Sequence, residues 1–525
     1  MSTDDDDFGG GTRPRETIWQ AGADSIGFSA LDSAIEVDVA IVGGGITGIT
    51  TAALLAQAGR RVAVLEAAQV GSGTTGHSTG NLYAPVDGFL HKLASKWGEE
   101  TMLGVAESRR DAVNLIEKNT RDYRLACDFS RQPWVLYSMD ASGEGDSIID
   151  KECQAARKAG LEARVTNDLP LPFHVDKALV VSNQAQFHPL KYVRQLAAAI
   201  ASAQCRIFES SPVIDYDGDS GTLHTVEHSV KAAHIVLATH TPKGFNTIQT
   251  ELGPYREYAL AAPLSGPTLP GGIFWGVGAE KYSTRMVELD GKPYVLMIGE
   301  LHKTGQKDDP EAAWRRLEAV LLARFEIGAV EFRWSAQQYR PADGLPYIGQ
   351  AIGSDRLLIA SGFAADGLTY GTLAAMILSD LVQGKDNPYG ELYSPRRFTP
   401  LKSAGTFLKE NLNVAGYYVK DYMKSAEVTR LADVPRGEGR IVDIAGDKLA
   451  VYRDEAYQLH VVSPVCTHLK CVVHWNQAER SWDCPCHGSR FSINGAVLEG
   501  PALEPLQRRV MPPGSETGAD LPPET

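Results

Sequence analysis

Residues 37–48 read Val-Asp-Val-Ala-Ile-Val-Gly-Gly-Gly-Ile-Thr-Gly, an apolar run that leads into a glycine-rich turn. The apolar run fits a strand buried on both faces, and the small residues of 49–58 fit a helix that follows the turn. A second apolar run, 61–65, ends at Glu66. A strand, a helix and another strand in this order predict an α/β domain with a parallel sheet.

The glycine spacing adds a binding function to this unit. Gly43 suits the tight turn, Gly45 lets the backbone approach a pyrophosphate, and Gly48 lets the helix pack closely on the strand. Glu66, 18 positions beyond Gly48, can accept a hydrogen bond from a ribose 2′-hydroxyl. Since strand, turn, helix and acid all fall where they are required, the segment predicts a dinucleotide site.

Two loops near the C-terminus combine cysteine with histidine, Cys466-Thr-His468-Leu-Lys-Cys471 and Cys484-Pro-Cys486-His487-Gly-Ser489. Two thiolates and two imidazoles can hold a [2Fe–2S] cluster, with His468 and His487 on one iron and Cys466 and Cys484 on the other. Zinc accepts the same ligand types and is the alternative. Zinc motifs, however, usually pair Cys with Cys and His with His, whereas each loop here supplies one of each.

The second cysteine of each loop, Cys471 and Cys486, stands where a disulfide could clamp the two loops together. The segment resembles the Rieske proteins of cytochrome bc complexes through both loops and through 500–502, Gly-Pro-Ala, which looks like their proline loop. The resemblance covers residues 426–511 and implies a small all-β sandwich. Where those proteins have a Tyr that donates to sulfur, this chain has Phe491, so we expect a lower reduction potential.

Three later segments, 233–239, 339–349 and 361–368, resemble the D-amino-acid-oxidase-like superfamily of FAD enzymes. The middle one looks like the superfamily's Arg-Pro-x-x-Asp-Gly-x-Pro signature. The resemblance implies FAD, bound by a Rossmann-like domain within residues 35–395 and interleaved with a mixed-sheet substrate subdomain at about 100–190 and 250–335. It also implies further cofactor-binding residues, namely Thr74, Thr75, His77, Thr239, Gly344, Gly362 and Gly367.

Two residues are candidate catalytic residues. His77 lies in 72–80, which resembles the loop of sarcosine and dimethylglycine dehydrogenases whose His is bonded to the flavin; here Gly76 replaces the Trp before that His. The alternative is a His that only contacts FAD. Arg340 is expected to bind a substrate carboxylate, because a guanidinium matches a carboxylate bidentately. Its alternative is a structural pair with a nearby acid such as Asp343.

Composition and charge limit the class of protein, its partners and its location. The chain has 525 residues, 43% hydrophobic and 22% charged, which fits a multidomain globular protein. A net charge of −14 argues against nucleic acid and anionic membrane as partners. No run approaches the ~18 apolar residues of a membrane span, and no apolar leader opens the chain, so we expect a cytoplasmic protein without an integral membrane segment.

The remaining segments are a linker and two tails. We expect disorder in residues 1–34 and 512–525, which are rich in Asp, Gly or Pro. Residues 396–425 predict a linker helix whose apolar positions recur at helical spacing. An amphipathic membrane helix is the alternative, although the acidic protein disfavours it.

Together these motifs predict an FAD-dependent dehydrogenase that oxidises a small amine or amino acid. Electrons would pass from the flavin to the cluster and then to an external one-electron acceptor. A Rieske oxygenase needs a separate mononuclear iron domain, and nothing after the cluster segment could supply one. A flavin and iron–sulfur redox sensor without a substrate is the alternative from another class.

Overall fold

The computed structural model describes residues 13–14, 16–139, 143–244, 246–278, 281–307, 309–397, 400–423, 426–444 and 446–509. Its α-helices are α1 Ile18–Ala21, α2 Ile46–Gln57, α3 Leu90–Trp97, α4 Glu99–Asp122, α5 Glu144–Lys158, α6 Pro189–Ile200, α7 Pro310–Arg324, α8 Gly367–Val382, α9 Gly390–Tyr393 and α10 Pro400–Met423. Its strands are β1 Arg13–Pro14, β2 Ile35–Val42, β3 Val62–Leu65, β4 Asn81–Leu82, β5 Ser130–Ser138, β6 Ala163–Thr166, β7 Lys177–Gln186, β8 Cys205–Phe208, β9 Asp215–Asp217, β10 Thr222–His224, β11 Ser229–Leu237, β12 Leu252–Pro263, β13 Ile273–Val277, β14 Ser283–Leu289, β15 Lys292–Lys303, β16 Phe332–Pro341, β17 Tyr347–Gln350, β18 Leu357–Ser361, β19 Gly439–Ile444, β20 Asp447–Arg453, β21 Leu459–Val462, β22 His474–Asn476, β23 Ser481–Asp483, β24 Arg490–Phe491 and β25 Val497–Glu499.

The glycine-rich turn belongs to a mainly parallel sheet of order β17-β18-β11-β2-β3-β8. Strand β2 lies between β11 and β3, and all three run parallel. Helices α2 and α8 pack on one face of this sheet, where Ile49 and Leu373 join Ile41 of β2 in one buried cluster. The predicted α/β domain, with β2 and β3 as its first two strands, is confirmed.

A second, mixed sheet has the order β1-β16-β12-β15-β14-β13-β5-β7-β4, with β6 paired to β7. Most pairs are antiparallel, whereas β13 runs parallel to β5. Its strands alternate along the chain with those of the parallel sheet, because β7 precedes β8 and β16 precedes β17. The predicted interleaved mixed sheet is therefore confirmed, while the approximate bounds of the substrate subdomain stay a prediction.

Strands β12 and β16 form a long antiparallel pair in the mixed sheet. Arg256 stands opposite Gln337, and Glu257 stands opposite Ala336. Opposed residues share a face and successive residues alternate between faces. Arg256 and Glu257 therefore point to opposite sides of the same two strands.

The N-terminal segment departs from the sequence-based expectation. Residues 1–34 were predicted to be disordered, yet from residue 16 onward the structure has a defined course. Thr17 caps α1 in a capping box, and Trp19 is 1% exposed and donates from Nε1 to the carbonyl of Ser78 at 2.7 Å. The prediction of disorder was wrong for this stretch. Burial of one tryptophan side chain stabilises it, although the segment as a whole has a polar composition. Residues 1–12 and 15 lie outside the described residues.

The C-terminal part is all-β, as predicted, with a sheet β19-β20-β21 and a sheet β22-β23-β24-β25. Trp482 and Phe491, each 0% exposed, lie in the core between them. Helix α10 lies in the segment predicted as a linker, and its Glu410 bonds Lys303 at 2.6 Å. The boundaries given for the linker and the cluster domain stay predictions, and the tail at 512–525 lies outside the described residues. Among the described helices, none has the length and apolar character that a membrane crossing requires.

Candidate active site and cluster site

A cavity of about 1740 Å³ opens at the carboxyl ends of the parallel strands. Its wall there consists of residues that end β2, β3 and β11 or follow them, including Gly43, Glu66 and Thr239. This is the edge at which ligands bind in open α/β sheets. The mixed sheet covers the other side of the cavity through β12 and β16.

The turn after β2 has the geometry that its glycines were predicted to provide. Gly43 has φ +106°, and a Cβ there would stand 2.6 Å from the carbonyl oxygen of Ala238. A Cβ on Gly48 would stand 1.9 Å from the carbonyl oxygen of Gly43, so α2 can approach the strand only with glycine at this position. Gly45 lines the cavity at the start of α2, where a helix N-terminus favours an anion.

Glu66 is held at the end of β3 by backbone donors. The amide of Gly44 donates to Glu66 Oε2 at 2.7 Å and that of Ala68 donates to Oε1 at 2.9 Å. Burial nevertheless raises the pKa of Glu66 above its ordinary value. The carboxylate lines the cavity, where a sugar hydroxyl can reach it.

The loop at 72–80 forms a 3₁₀ turn, Thr74–His77, along the same cavity. Thr75 Oγ1 accepts from the amide of Ile46 at 3.0 Å and thereby ties this loop to the glycine turn. His77 Nδ1 lies 2.9 Å from the carbonyl of Gly73, which can only accept, so Nδ1 carries the proton and Nε2 the lone pair. Burial lowers the pKa of His77, which favours this neutral form.

The other predicted cofactor residues divide into two groups. Thr239 and Gly367 line the cavity, after β11 and at the start of α8. Gly344 and Gly362 do not line it; both have positive φ, +90° and +80°, and shape the turns that precede β17 and α8.

Arg340 lines the cavity from the end of β16. Its Nη2 bonds Asp87 Oδ2 at 2.7 Å, and its Nε donates to Gln338 at 2.9 Å. The partner considered from the sequence, Asp343, is bound instead by Arg397 at 2.7 Å. The guanidinium therefore already has a carboxylate partner, and that partner is 253 residues away in the chain.

The two cysteine–histidine loops meet in the core of the C-terminal domain. Cys466 and Cys484 are buried free thiols, and the rings of His468 and His487 lie 5.1 Å apart between centroids. Burial lowers the pKa of both histidines to about 4, so both are neutral imidazoles, the form that binds metal. Nδ1 of His487 is buried and has no hydrogen-bond partner within the described residues. An unpaired imidazole nitrogen beside two free thiols fits a metal cluster.

The predicted disulfide is confirmed between Cys471 and Cys486, whose Cα atoms are 6.6 Å apart. The sulfurs of Cys471, Cys484 and Cys486 lie within 4.8 Å of one another. Because two of them form the disulfide, Cys484 has the free thiol of that group. A hydrogen bond from Cys484 and a weaker one from Ser489 lower the pKa of Cys466 to about 7, which places the hydroxyl of Ser489 at a ligand sulfur.

Comparison with known proteins decides the family. Residues 38–381 match the family described as FAD dependent oxidoreductase, and residues 424–510 match the Rieske [2Fe-2S] domain. The chain belongs to the FAD dependent oxidoreductase family. It is 34% identical over 500 residues to YhfW of Bacillus subtilis (strain 168), which is named as a Rieske 2Fe-2S iron-sulfur protein; this covers 94% of the chain and 97% of YhfW.

Two further relatives match the oxidoreductase part of the chain. Gamma-glutamylputrescine oxidoreductase of Escherichia coli (strain K12) is 22% identical over 382 residues, which is 68% of this chain and 86% of the relative. The crystal structure of glycine oxidase from Geobacillus kaustophilus superposes with a TM-score of 0.57 at 20% identity, covering 69% of this chain and all of that one. The second likeness shows that the oxidoreductase fold is shared.

This FAD-dependent oxidoreductase therefore carries two redox groups, FAD and a [2Fe–2S] cluster. FAD can take up two electrons as a hydride equivalent, whereas the cluster carries one electron at a time. The zinc alternative is thereby set aside. The four side chains predicted to bind the iron, those of Cys466, His468, Cys484 and His487, lie together in the C-terminal domain, and their assignment as ligands stays a prediction.

The cluster loops pack directly on the oxidoreductase part. His468 Nε2 lies 3.0 Å from Oε1 of Gln249, and Gln337 of β16 donates to the carbonyl of Gly488 at 2.9 Å. Tyr339 donates from its hydroxyl to the carbonyl of Gly500 at 3.0 Å. The ring of Tyr339 also lies 4.9 Å from that of His240, which faces the cavity.

Buried ion pairs hold this interface. Arg256 of β12, with a side chain 1% exposed, bonds Glu479 at 2.7 Å and Glu499 at 3.2 Å, both from the cluster domain. Arg490 bonds the same two acids and Asp483 from within that domain. Although burial alone would raise it, Arg256 and Arg490 lower the pKa of Glu479 and of Glu499 to about 2. Glu479, Glu499 and the two arginines therefore remain charged at neutral pH and tie the cluster domain to the oxidoreductase part.

Sequence reasoning missed the residues that join the two sites. Arg256, Gln249 and His240 belong to no motif, and their partners lie far away in the chain, 223 residues in the pair of Arg256 with Glu479. Glu257 and Asp87 were missed for the same reason. No spacing rule links residues so distant, so only the tertiary structure reveals them.

Proposed function

We propose that this enzyme is a dehydrogenase for a small amine or amino acid, in which electrons leave the flavin site through the Rieske cluster to an external one-electron carrier. One observation supports the internal route above all others. Residues of the cluster domain, Leu498, Glu499, Gly500 and Leu503, line the same cavity as Gly43, Glu66 and His77. No movement of the cluster domain is then needed to bring the two sites together.

The proposed reaction is the two-electron oxidation of a carbon–nitrogen single bond to an imine. The donor carbon loses its hydrogen as hydride and the nitrogen loses a proton, which leaves an imine that water hydrolyses to a carbonyl compound and ammonia or a smaller amine. The two electrons depart one after the other to two equivalents of the external carrier. The names of the E. coli and Geobacillus relatives support a C–H next to nitrogen as the site of oxidation.

The residues that line the cavity have proposed roles. Gly43, Gly45, Gly48 and Glu66 would hold the nucleotide part of FAD, and Thr74, Thr75, Thr239 and Gly367 its remaining length. His77, with a lone pair on Nε2, is positioned along the same loop as a candidate for covalent attachment. Gly344 and Gly362 would act through the turns they shape, and a cytoplasmic location stays a prediction.

Anaerobic rapid mixing tests the proposal. A substrate should bleach the flavin absorbance first, and the EPR signal of the reduced cluster should follow before any carrier is added. Flavin bleaching without cluster reduction would refute the relay. Failure of a broad panel of amines and amino acids to bleach the flavin would favour the redox sensor. Acid precipitation of the protein shows separately whether the yellow chromophore stays bound to the chain.

A further inference from the structure

The charged side chains around Arg340 influence which ligands can bind in the cavity. Arg340 contacts Asp87 at 2.7 Å, and Glu257 lies on the same face of β12 and β16. Burial alone would lower the pKa of Arg340, but Asp87 and Glu257 hold it above the ordinary value. The guanidinium is thus bonded to one carboxylate and attracted by a second, which leaves it poorly suited to a third.

Among the described residues, no cation contacts Glu257. Its Oε2 accepts from Nε2 of Gln338 at 2.9 Å, and it lines the cavity. Burial raises its pKa to about 7, although the positive charge of Arg340 opposes the rise. A carboxylate that is desolvated but unpaired is an open site for a positive charge.

A third carboxylate, that of Asp366, lies next to Asp87. Asp366 pairs with buried Arg109 at 3.2 Å and accepts from the hydroxyl of Tyr83 at 2.5 Å and from the amide of Asp87 at 3.1 Å. The group therefore holds three carboxylates, those of Asp87, Glu257 and Asp366, against two guanidinium ions. One negative charge remains uncompensated when Glu257 is ionised.

The neighbouring wall is aromatic and offers acceptors. Trp275 lines the cavity, its ring 5.6 Å from that of Tyr83, and its Nε1 has no partner in the described part of the chain. Asn81, 6% exposed, lines the cavity as well, and its Oδ1 is likewise without a described partner. Aromatic faces and the open oxygen acceptor of Asn81 suit a ligand that carries an N–H donor and positive charge, whereas Nε1 of Trp275 leaves one donor for an acceptor atom of the ligand.

From this arrangement we propose that the substrate is a cationic amine with no carboxylate beside its amino group, recognised by Glu257 and Asp87. The inference rests on the proposed function and narrows its substrate class. The carboxylate of an α-amino acid would have to share Arg340 with Asp87, and a further carboxylate beside Asp87 and Glu257 would add to the excess negative charge, which is strongly unfavourable. An ammonium group, in contrast, compensates the excess negative charge.

Matched pairs of compounds test this on the holoenzyme. 2-Phenylethylamine and phenylalanine, or isobutylamine and valine, differ only in the carboxylate. The amine of each pair should bleach the flavin anaerobically at least about 100-fold faster than the amino acid, as expected when a further negative charge enters a group that already has an excess of negative charge. Amino acids that bleach as fast as their amines would overturn the substrate class while leaving the dehydrogenase intact. Failure of both members of every pair would overturn both proposals.

Variants sharpen the test. Asp87→Asn should release Arg340, so that amino acids bleach the flavin at least about tenfold faster than in the wild type while amines slow down. Glu257→Gln should slow amines without helping amino acids. Glu117→Gln, which alters an acid paired with Arg131 near the surface, is the matched control and should change neither.

Binding without turnover gives a second readout. Benzoate should perturb the flavin spectrum of Asp87→Asn at concentrations that leave the wild-type spectrum unchanged. If Asp87→Asn retains FAD but neither binds benzoate nor gains activity on amino acids, Arg340 is not restrained by Asp87 and the inference is wrong.

Discussion

Both faces of the strand pair β12 and β16 carry charged side chains. These charges are fully paired on one face and incompletely paired on the other. On the cluster face, Arg256 is matched by Glu479 and Glu499, whose pKa values are lowered to about 2. On the cavity face, Glu257 contacts no cation in the part of the chain that the structure describes, and its pKa is raised to about 7. Full pairing locks one protein surface onto another, whereas incomplete pairing leaves a charge for a ligand to satisfy.

Arg256 and Glu257 are consecutive residues of β12, so the contrast arises within a single strand. Successive side chains of a strand point to opposite faces, so neighbouring positions can serve docking and recognition independently. Substitutions on one face should then leave the function of the other unchanged. The predictions below test that independence.

The largest effect is expected on the cluster face, from Arg256→Met. It leaves Glu479 and Glu499 buried without their cross-domain cation, which costs about 3–5 kcal/mol of unfolding free energy. Displacement of the cluster domain should slow electron transfer from the reduced flavin to the cluster roughly tenfold or more, a larger factor than any change in flavin bleaching by substrate. Denaturant titration and rapid mixing measure the two effects.

Arg61→Met is the control for the Arg256 variant, since Arg61 pairs with Asp38 at the surface and its side chain is 55% exposed. Loss of an exposed pair should cost less than about 1 kcal/mol. If Arg256→Met reduces its cluster at the wild-type rate, the ion pairs do not position the domain.

Acid should weaken the same face. Glu479 and Glu499 have folded pKa values of about 2, below the ordinary 4.5. Their stabilisation is fully present above about pH 4.5 and is lost as the pH falls toward 2. Urea midpoints measured between pH 7 and 3 should therefore fall more steeply for the wild type than for Arg256→Met, in which the carboxylates have lost one of their two cations.

A smaller effect is expected on the cavity face, from the ionisation of Glu257. The charged groups that face it are Arg340, Asp87 and Asp366. With a pKa of about 7, its ionised fraction rises between pH 6 and 8, so the KM for an amine should fall by up to about tenfold over that range. Glu257→Gln should flatten this profile, and the rate of cluster reduction should not change. A profile identical in both proteins would assign the ionisation to another group.

The smallest effect is expected at the cluster itself. Phe491→Tyr would restore a hydroxyl at the position where Rieske proteins donate to sulfur, in addition to the one from Ser489. The reduction potential should rise by roughly tens of millivolts, because such hydrogen bonds stabilise the reduced form. Redox titration followed by EPR measures it, and an unchanged or lower potential would mean that the hydroxyl does not reach sulfur.

Much of the site could be predicted because its motifs are short. The glycine turn, Glu66 and the loop at 72–80 come together around one strand end, and the four cluster ligands lie in two loops. Trp19 shows the limit of composition, since a segment predicted to be disordered buries a large aromatic side chain. Arg340 shows the limit of motifs, since its partner Asp87 lies outside the signature that contains it.

The chain's order of residues by itself determined which groups it binds, since a nucleotide turn and a pair of cysteine–histidine loops depend on spacings of a few residues. Tertiary structure alone decided how those groups face each other and which charge the cavity leaves unpaired. The reason is physical: burial and pairing of a charge depend on neighbours that folding brings from more than 200 residues away, as Glu479 reaches Arg256 and Asp87 reaches Arg340.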